Sequence, residues 1–319
     1  MTADQAVLVT GATGFIGGHL LPTLSGKPVR VALRGAAQNA RLPGERICVG
    51  DVNGRTEWAE ALAGVRCVVH MAAHVHAMKQ TADDRRSFYE VNTLGTERLA
   101  LAAAVAGVKR FIFISTIKVN GEATTDRPFS AIDVPHPVDA YGISKWEAEQ
   151  RLFQVAGEAN MEALVVRPTL VYGSGVGGNF LKLLSWVYKG VPLPLRSIVN
   201  ARSMLNVWNL CALIARMVEI PAVSSGVFLA SDGVELSTPE LIRRIAAAMG
   251  RPARLVPVPA TLLRAAGAIT GTGSRIDRLC DSLTVDIGST CQSFDWRPPV
   301  STDEGLMRTA RWYIEHRTG

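Results

Sequence analysis

Short runs of β-branched and aliphatic residues recur along the chain: AVLVT (6–10), VRVAL (29–33), RICV (46–49), VRCVVH (65–70), RFIFI (110–114) and ALVVR (163–167). Between them, segments 88–106 and 141–157 set apolar residues on one helical face and charges on the other. Strands alternating with helices predict a parallel sheet with crossover helices. The order opens as βαβαβ at the N-terminus, so the expected fold class is α/β, a Rossmann-type doubly wound parallel sheet.

After Arg167 the texture changes to glycine and proline clusters, YGSGVGG at 172–178 and VPLPL at 191–195, which suit loops over a ligand better than a sheet. A further strand is expected at GVFLA (226–230), and Ser237 or Thr238 ahead of Pro239 and Glu240 reads as a helix start. The expected organisation is a dinucleotide-binding domain over 1–170 that also takes in about 205–232. A smaller C-terminal substrate-binding lobe then comprises 171–204 and 233–319.

Composition narrows the function. Hydrophobic content of 48% and charged content of 19% are those of an ordinary globular protein. The formal charge of +6 is spread without a basic run, which argues against a nucleic-acid arm and suits an anionic small molecule. Five cysteines without CxxC spacing indicate neither a disulfide frame nor a zinc knuckle. No apolar stretch approaches the length of a membrane span, and the first residues lack a secretory pattern, so a cytoplasmic location is expected.

The segment TGATGFIG (10–17) lies between a strand and a helical stretch, with Gly11, Gly14 and Gly17 at intervals of three. Glycines there let the backbone turn, admit a pyrophosphate and bring helix against strand. The helix start then presents free N–H groups to the phosphates. Asp51, in GDV after the third strand, can reach an adenine amino group. The second strand ends on Arg34, where a carboxylate commonly grips the ribose of NAD. Arginine pairs with a ribose phosphate instead, so NADP(H) is preferred, with NAD(H) possible.

In YGISK (141–145), Tyr141 and Lys145 stand four apart on one helical face. A phenol with an ordinary pKa of about 10 becomes a useful acid or base near positive charge, which Lys145 and an oxidised nicotinamide would supply.

Together with GDV, VNTLGT, STIKVNGE (115–122), RPTLVYG (167–173) and RSMLNVWNL (202–210), these motifs resemble the extended short-chain dehydrogenase/reductase family, the NAD-dependent epimerases and dehydratases, over nearly the whole chain. The resemblance implies catalysis by Thr116, Tyr141 and Lys145. It implies a cofactor held by Gly11, Thr13, Gly14, Phe15, Ile16, Gly17, Arg34, Asp51, Val52, Ala72, Asn92, Ser115, Tyr141, Lys145 and Arg167. It implies a nucleotide sugar held by Thr116, Lys118, Asn179, Arg202 and Arg278.

The family's sugar dehydratases follow the threonine with Asp and Glu. Here Ile117 and Lys118 follow it, which disfavours dehydration, and Asn120 replaces the usual tyrosine. IKVNGE with YGISKWEAEQ is similar to a polysaccharide branch containing UDP-glucose 4-epimerase-like proteins and UDP-N-acetylquinovosamine 4-ketoreductases. The expected reaction is reduction at C4 of a UDP-4-keto-6-deoxy-N-acetylhexosamine. A UDP-hexose 4-epimerase with tightly bound NAD is the alternative, and a non-catalytic redox sensor or assembly factor is the alternative of another class. The resemblance also implies a homodimer through helices 83–106 and 138–157. His70, His74 and His76 follow a buried strand without carboxylate or cysteine partners, so no metal is expected, and His74 or His76 can reach substrate.

Overall fold

The computed structural model describes residues 6–35, 42–75, 82–271 and 273–316. Seven strands form one parallel sheet: β1 (Ala6–Thr10), β2 (Val29–Leu33), β3 (Glu45–Cys48), β4 (Val65–His70), β5 (Arg110–Ile114), β6 (Glu162–Pro168) and, later in the chain, Gly226–Ala230. The spatial order is β3-β2-β1-β4-β5-β6, followed by Gly226–Ala230 at the edge. The direction of winding reverses between β1 and β4, and in such sheets ligands bind outside the strand carboxyl ends at that point. The expected strands form where the apolar runs lie, with RICV displaced by one residue.

Each face of the sheet is covered because its central strands are apolar on both sides, while the edge strand Glu45–Cys48 is mostly exposed. On one face Val7, Val9, Val31, Ile112 and Leu164 pack with the helices Phe15–Thr23 and Val207–Glu219. On the other, Leu8, Val68, Phe111, Phe113 and Val165 pack with Gly95–Val105 and Ala140–Ala159. A π-helical turn, Tyr89–Leu94, leads into Gly95–Val105 and carries Asn92.

In the segment after Arg167, a sheet forms where the glycine and proline clusters are expected to suit loops better. It is a second, three-stranded sheet in which β7 (Leu170–Tyr172) pairs parallel with β8 (Arg202–Asn206). With Gly226–Ala230 counted as β9, β10 (Glu235–Leu236) pairs antiparallel with β8. Around it lies a separate core of Phe180, Leu184, Leu241, Ile245 and Leu306. Ser237 starts the helix Thr238–Ala248, its hydroxyl accepting from Glu240 N.

A buried polar cluster ties the small sheet to the chain that leaves the main sheet after Ala230. Asp232 accepts from Asn206 N, from both Asn206 and Asn209 side-chain amides, and from the Tyr172 hydroxyl at 2.9 Å. Burial holds the Asp232 carboxyl above the ordinary carboxylate range despite these donors.

Candidate active site

The glycine loop follows β1. Gly11 has φ +70°, and a Cβ there would lie 2.7 Å from Ala72 N in the loop after β4. At Gly17 a Cβ would lie 2.5 Å from Gly11 O, so helix and loop touch backbone to backbone. Gly14 N donates to Gly11 O at 3.0 Å, closing the turn, and no side chain caps the helix that begins at Phe15. Its first N–H groups therefore point out of the turn, an arrangement that suits a phosphate.

In front of this turn opens a cleft of about 690 Å³ lined by Gly11, Thr13, Arg34, Asp51, Val52 and Ala72, among others. All six are residues expected to bind cofactor. Glycine cradle, uncapped helix and a cleft of this size with mixed polar and apolar lining fit a dinucleotide. Arg34 Nε is 2.9 Å from Asp51 Oδ1. Phe15 and Ile16 start the helix with their side chains turned into packing: Phe15 lies edge-on to His19, and Ile16 joins the sheet core.

At the carboxyl end of β4 the histidines separate into different roles. Met71 N and Ala72 N donate to Thr10 Oγ1, so the threonine hydroxyl donates to His70 Nδ1 at 2.7 Å. His70 Nε2–H then donates to Thr96 Oγ1 at 3.0 Å, and Thr96 donates to Asn92 O. Each proton in this chain has one place, so His70 is neutral and structural. Burial first, then Lys145, pushes its pKa down to about 3. His74 lines the cleft and stacks obliquely on Phe88, 5.1 Å between ring centroids. His76 lies outside the described residues. Among the described residues no His, Cys, Asp and Glu group could hold a metal ion.

Thr116 and Tyr141 sit on adjoining turns. Thr116 caps the 3₁₀ turn Ile117–Val119, and Asp139 caps the helix Ala140–Ala159 with Oδ1 accepting from Gly142 N at 2.7 Å. Tyr141 is half-buried and tilted against Phe88, 5.9 Å between centroids, which joins it through His74 to the cleft. Lys145 is fully buried, its Nζ 4.0 Å above the Phe113 ring.

The protein alone does not acidify this phenol, which corrects the expected electrostatics. Burial, and then the Asp139 carboxylate, push Tyr141 above its ordinary value. Burial also pushes Lys145 down to about 7, opposed by Glu149. An oxidised nicotinamide would add the missing positive charge.

Asn92 and Arg167 are both buried with their polar groups engaged inside the protein. Asn92 accepts from His74 N at 2.8 Å and donates to Ser144 Oγ at 3.1 Å, clamping the cleft loop to the Tyr141 helix. Arg167 grips Glu149 with Nε at 3.1 Å and Nη2 at 2.5 Å, and donates to Asn120 Oδ1 at 2.9 Å. Ser115 Oγ donates to the same Glu149. Asn120 also donates to Ser130 O, so the residue replacing the usual tyrosine anchors a loop. Sequence reading overlooked Glu149, although its place four residues after Lys145 puts it on the same helical face.

The cations expected at the substrate converge on one carboxylate. Lys118 Nζ is 2.9 Å from Glu122 Oε1 and also bonds Asp139, while Arg278 Nε lies 3.4 Å from Glu122 Oε2. Arg202, on β8, donates to Asp281 O at 3.0 Å and lies within electrostatic reach of Glu122 and Arg278. Asn179 is exposed in the first turn of the helix Gly178–Tyr188.

Over 317 residues the chain is 41% identical to a UDP-glucose 4-epimerase of Vibrio cholerae, covering 98% of this chain and 96% of that protein. It is 27% identical to the N-acetyl-alpha-D-glucosaminyl-diphospho-ditrans,octacis-undecaprenol 4-epimerase of Escherichia coli O157:H7, again over 98% and 96% of the two chains. The structure of MoeE5 in complex with UDP-glucose and NAD superposes with a TM-score of 0.77 at 25% identity, covering 97% of this chain and 99% of that one. Residues 7–223 match the NAD dependent epimerase/dehydratase family. Cradle, tyrosine helix and full-length relatives coincide, and the chain belongs to that family.

Proposed function

We propose that the protein is an enzyme that oxidises and re-reduces C4 of a UDP-linked hexose, the net reaction being 4-epimerisation with NAD. The observation that carries this reading is the 41% identity, over essentially both full lengths, to a UDP-glucose 4-epimerase. Bound NAD would supply hydride acceptance and return at C4. Tyr141 takes the O4 proton as the carbon is oxidised and returns it on reduction. The Thr116 hydroxyl steadies that oxygen from the adjoining turn. Lys145, one helical turn from Tyr141, adds positive charge below the phenol. Glu149, fixed by Arg167 and Ser115, keeps that charge in place. Arg202 and Arg278 face the diphosphate. The relatives' names place the sugar on a diphosphate in both cases, which suits such cations.

Net reduction of a UDP-4-keto-6-deoxy-N-acetylhexosamine by NADPH is the second reading. It is favoured by Arg34, whose side chain is 73% exposed on the cleft wall and able to meet a ribose phosphate. The two readings separate on incubation with UDP-glucose, UDP-galactose and UDP-N-acetylglucosamine, followed by NMR. Interconversion of C4 epimers without net cofactor consumption is expected. Stoichiometric NADPH consumption with a 4-keto sugar, and no epimerisation, would favour reduction. No reaction in either assay would contradict both.

We also propose a homodimer through Gly95–Val105 and Ala140–Ala159, which pack together and leave Leu101 and Val105 exposed. Light scattering should give twice the chain mass, and a monomer would refute it. Among the described residues no helix is long and apolar enough to cross a membrane.

A further inference from the structure

An unbroken run of ionised side chains connects the lobe to the start of the Tyr141 helix. Arg278, from the lobe helix Gly273–Cys280, meets Glu122, Glu122 meets Lys118, and Lys118 meets Asp139. Asp139 divides its carboxylate: Oδ1 caps the helix at Gly142 N, and Oδ2 takes the Lys118 ammonium. The Lys118 backbone takes part as well. Its N–H donates to the Thr116 hydroxyl, and its carbonyl lies so close to Gly142 that a Cβ there would stand 3.2 Å away. One lysine thus touches both turns that carry Thr116 and Tyr141.

We propose that Lys118 is a positioning residue that holds the Thr116 turn against the start of the Tyr141 helix and offsets the Asp139 charge beside the phenol, rather than a contact to the sugar. This rests on Tyr141 being the proton-transferring group of the reading above.

The physical case is one of compensation. An N-cap carboxylate two residues before the phenol stabilises the helix, but it opposes ionisation of that phenol. Lys118, its side chain 26% exposed, bonds that carboxylate directly, and Glu122 fixes the ammonium from its other side. Other groups on this side of the described structure are Lys145 one turn along the helix, His74 behind Phe88, and Arg278 beyond Glu122. Among the described residues Lys118 is the cation paired with Asp139. Arginine can preserve both contacts and methionine can preserve only the packing of the stem.

The test uses Lys118→Met, Lys118→Arg, Asp139→Asn and the double variant Lys118→Met/Asp139→Asn. Asparagine keeps the capping oxygen and removes the charge. The first readout is thermal stability, which does not depend on turnover. Each single charge removal should lower Tm, and the double variant should fall no further than the worse single one. Additive losses would overturn the proposal and leave the proposed reaction standing.

The second readout is the pH dependence of kcat/KM. In Lys118→Met the limb that rises with pH should move up by about one unit, about a fivefold loss at the original midpoint and about tenfold well below it. It should stay in place in Lys118→Arg, move down in Asp139→Asn, and return toward wild type in the double variant. An unchanged profile in Lys118→Met, with only KM raised, would make Lys118 a substrate contact and overturn the proposal. Inactivity of the wild-type protein on every sugar nucleotide would instead count against the reaction itself.

Discussion

Arg34 and Asp51 form an ion pair at 2.9 Å across the cleft wall, each side chain 73% exposed. An exposed pair of this kind is worth about 0–1 kcal/mol, so it yields readily to a stronger partner. A ribose phosphate is such a partner for a guanidinium. Arg34→Ala should therefore cost about tenfold in affinity for NADPH and leave NADH within about twofold. Fluorescence titration with both reduced cofactors checks this, and equal losses for the two would remove Arg34 from cofactor discrimination.

Tyr141→Phe removes one oxygen from a ring already packed against Phe88. Proton transfer by a positioned side chain contributes about 10²- to 10⁴-fold. We predict a fall of that order in kcat with cofactor affinity unchanged. Steady-state kinetics and a cofactor titration check the two halves of the prediction separately.

Glu149 and Arg167 are both buried and bound to each other, to Ser115 and to Asn120. Removing one member of a buried pair leaves an uncompensated charge and costs about 3–5 kcal/mol. Glu149→Gln and Arg167→Met should each lower stability by that order, while Glu149→Met/Arg167→Met should cost less than the sum. Chemical denaturation of the three variants measures the difference. Lys145 should also become harder to protonate in Glu149→Gln, because Glu149 is the group opposing the downward shift.

His70 predicts acid sensitivity. Its folded pKa of about 3 lies below the ordinary 6.5, so between those values the unfolded chain takes up a proton that the folded chain does not. Stability from this group is full above about pH 6.5 and is lost as pH falls toward 3. In His70→Asn this dependence disappears. The stability gap between wild type and variant should therefore narrow from pH 7 to pH 4 in urea titrations, and a constant gap would contradict the buried neutral histidine.

The central strands of the main sheet were legible because they are short apolar runs buried on both faces, a pattern with few competing readings, whereas the edge strand Glu45–Cys48 is mostly exposed and its bounds came out one residue off. The glycine loop was legible because the spacing of Gly11 and Gly17 answers directly to backbone contacts. The small sheet was not. Leu170–Tyr172 and Arg202–Asn206 lie among turn-forming residues and are held by Asp232, which is distant in sequence. The electrostatics of Tyr141 were also illegible, since a YxxxK spacing shows the lysine and not the depth at which it is buried. Likewise, sequence places Lys118 and Glu122 on one turn but cannot show that Asp139 and Arg278 close the chain on either side.

In the proposed reaction C4 loses and regains hydride within one active site. UDP-galactose bearing deuterium at C4 tests it most directly, with the product followed by NMR and mass spectrometry. The expected product is UDP-glucose that retains the deuterium at C4, formed without added reductant. Unchanged UDP-galactose, or epimerised product whose C4 deuterium has been replaced by solvent hydrogen, would contradict it.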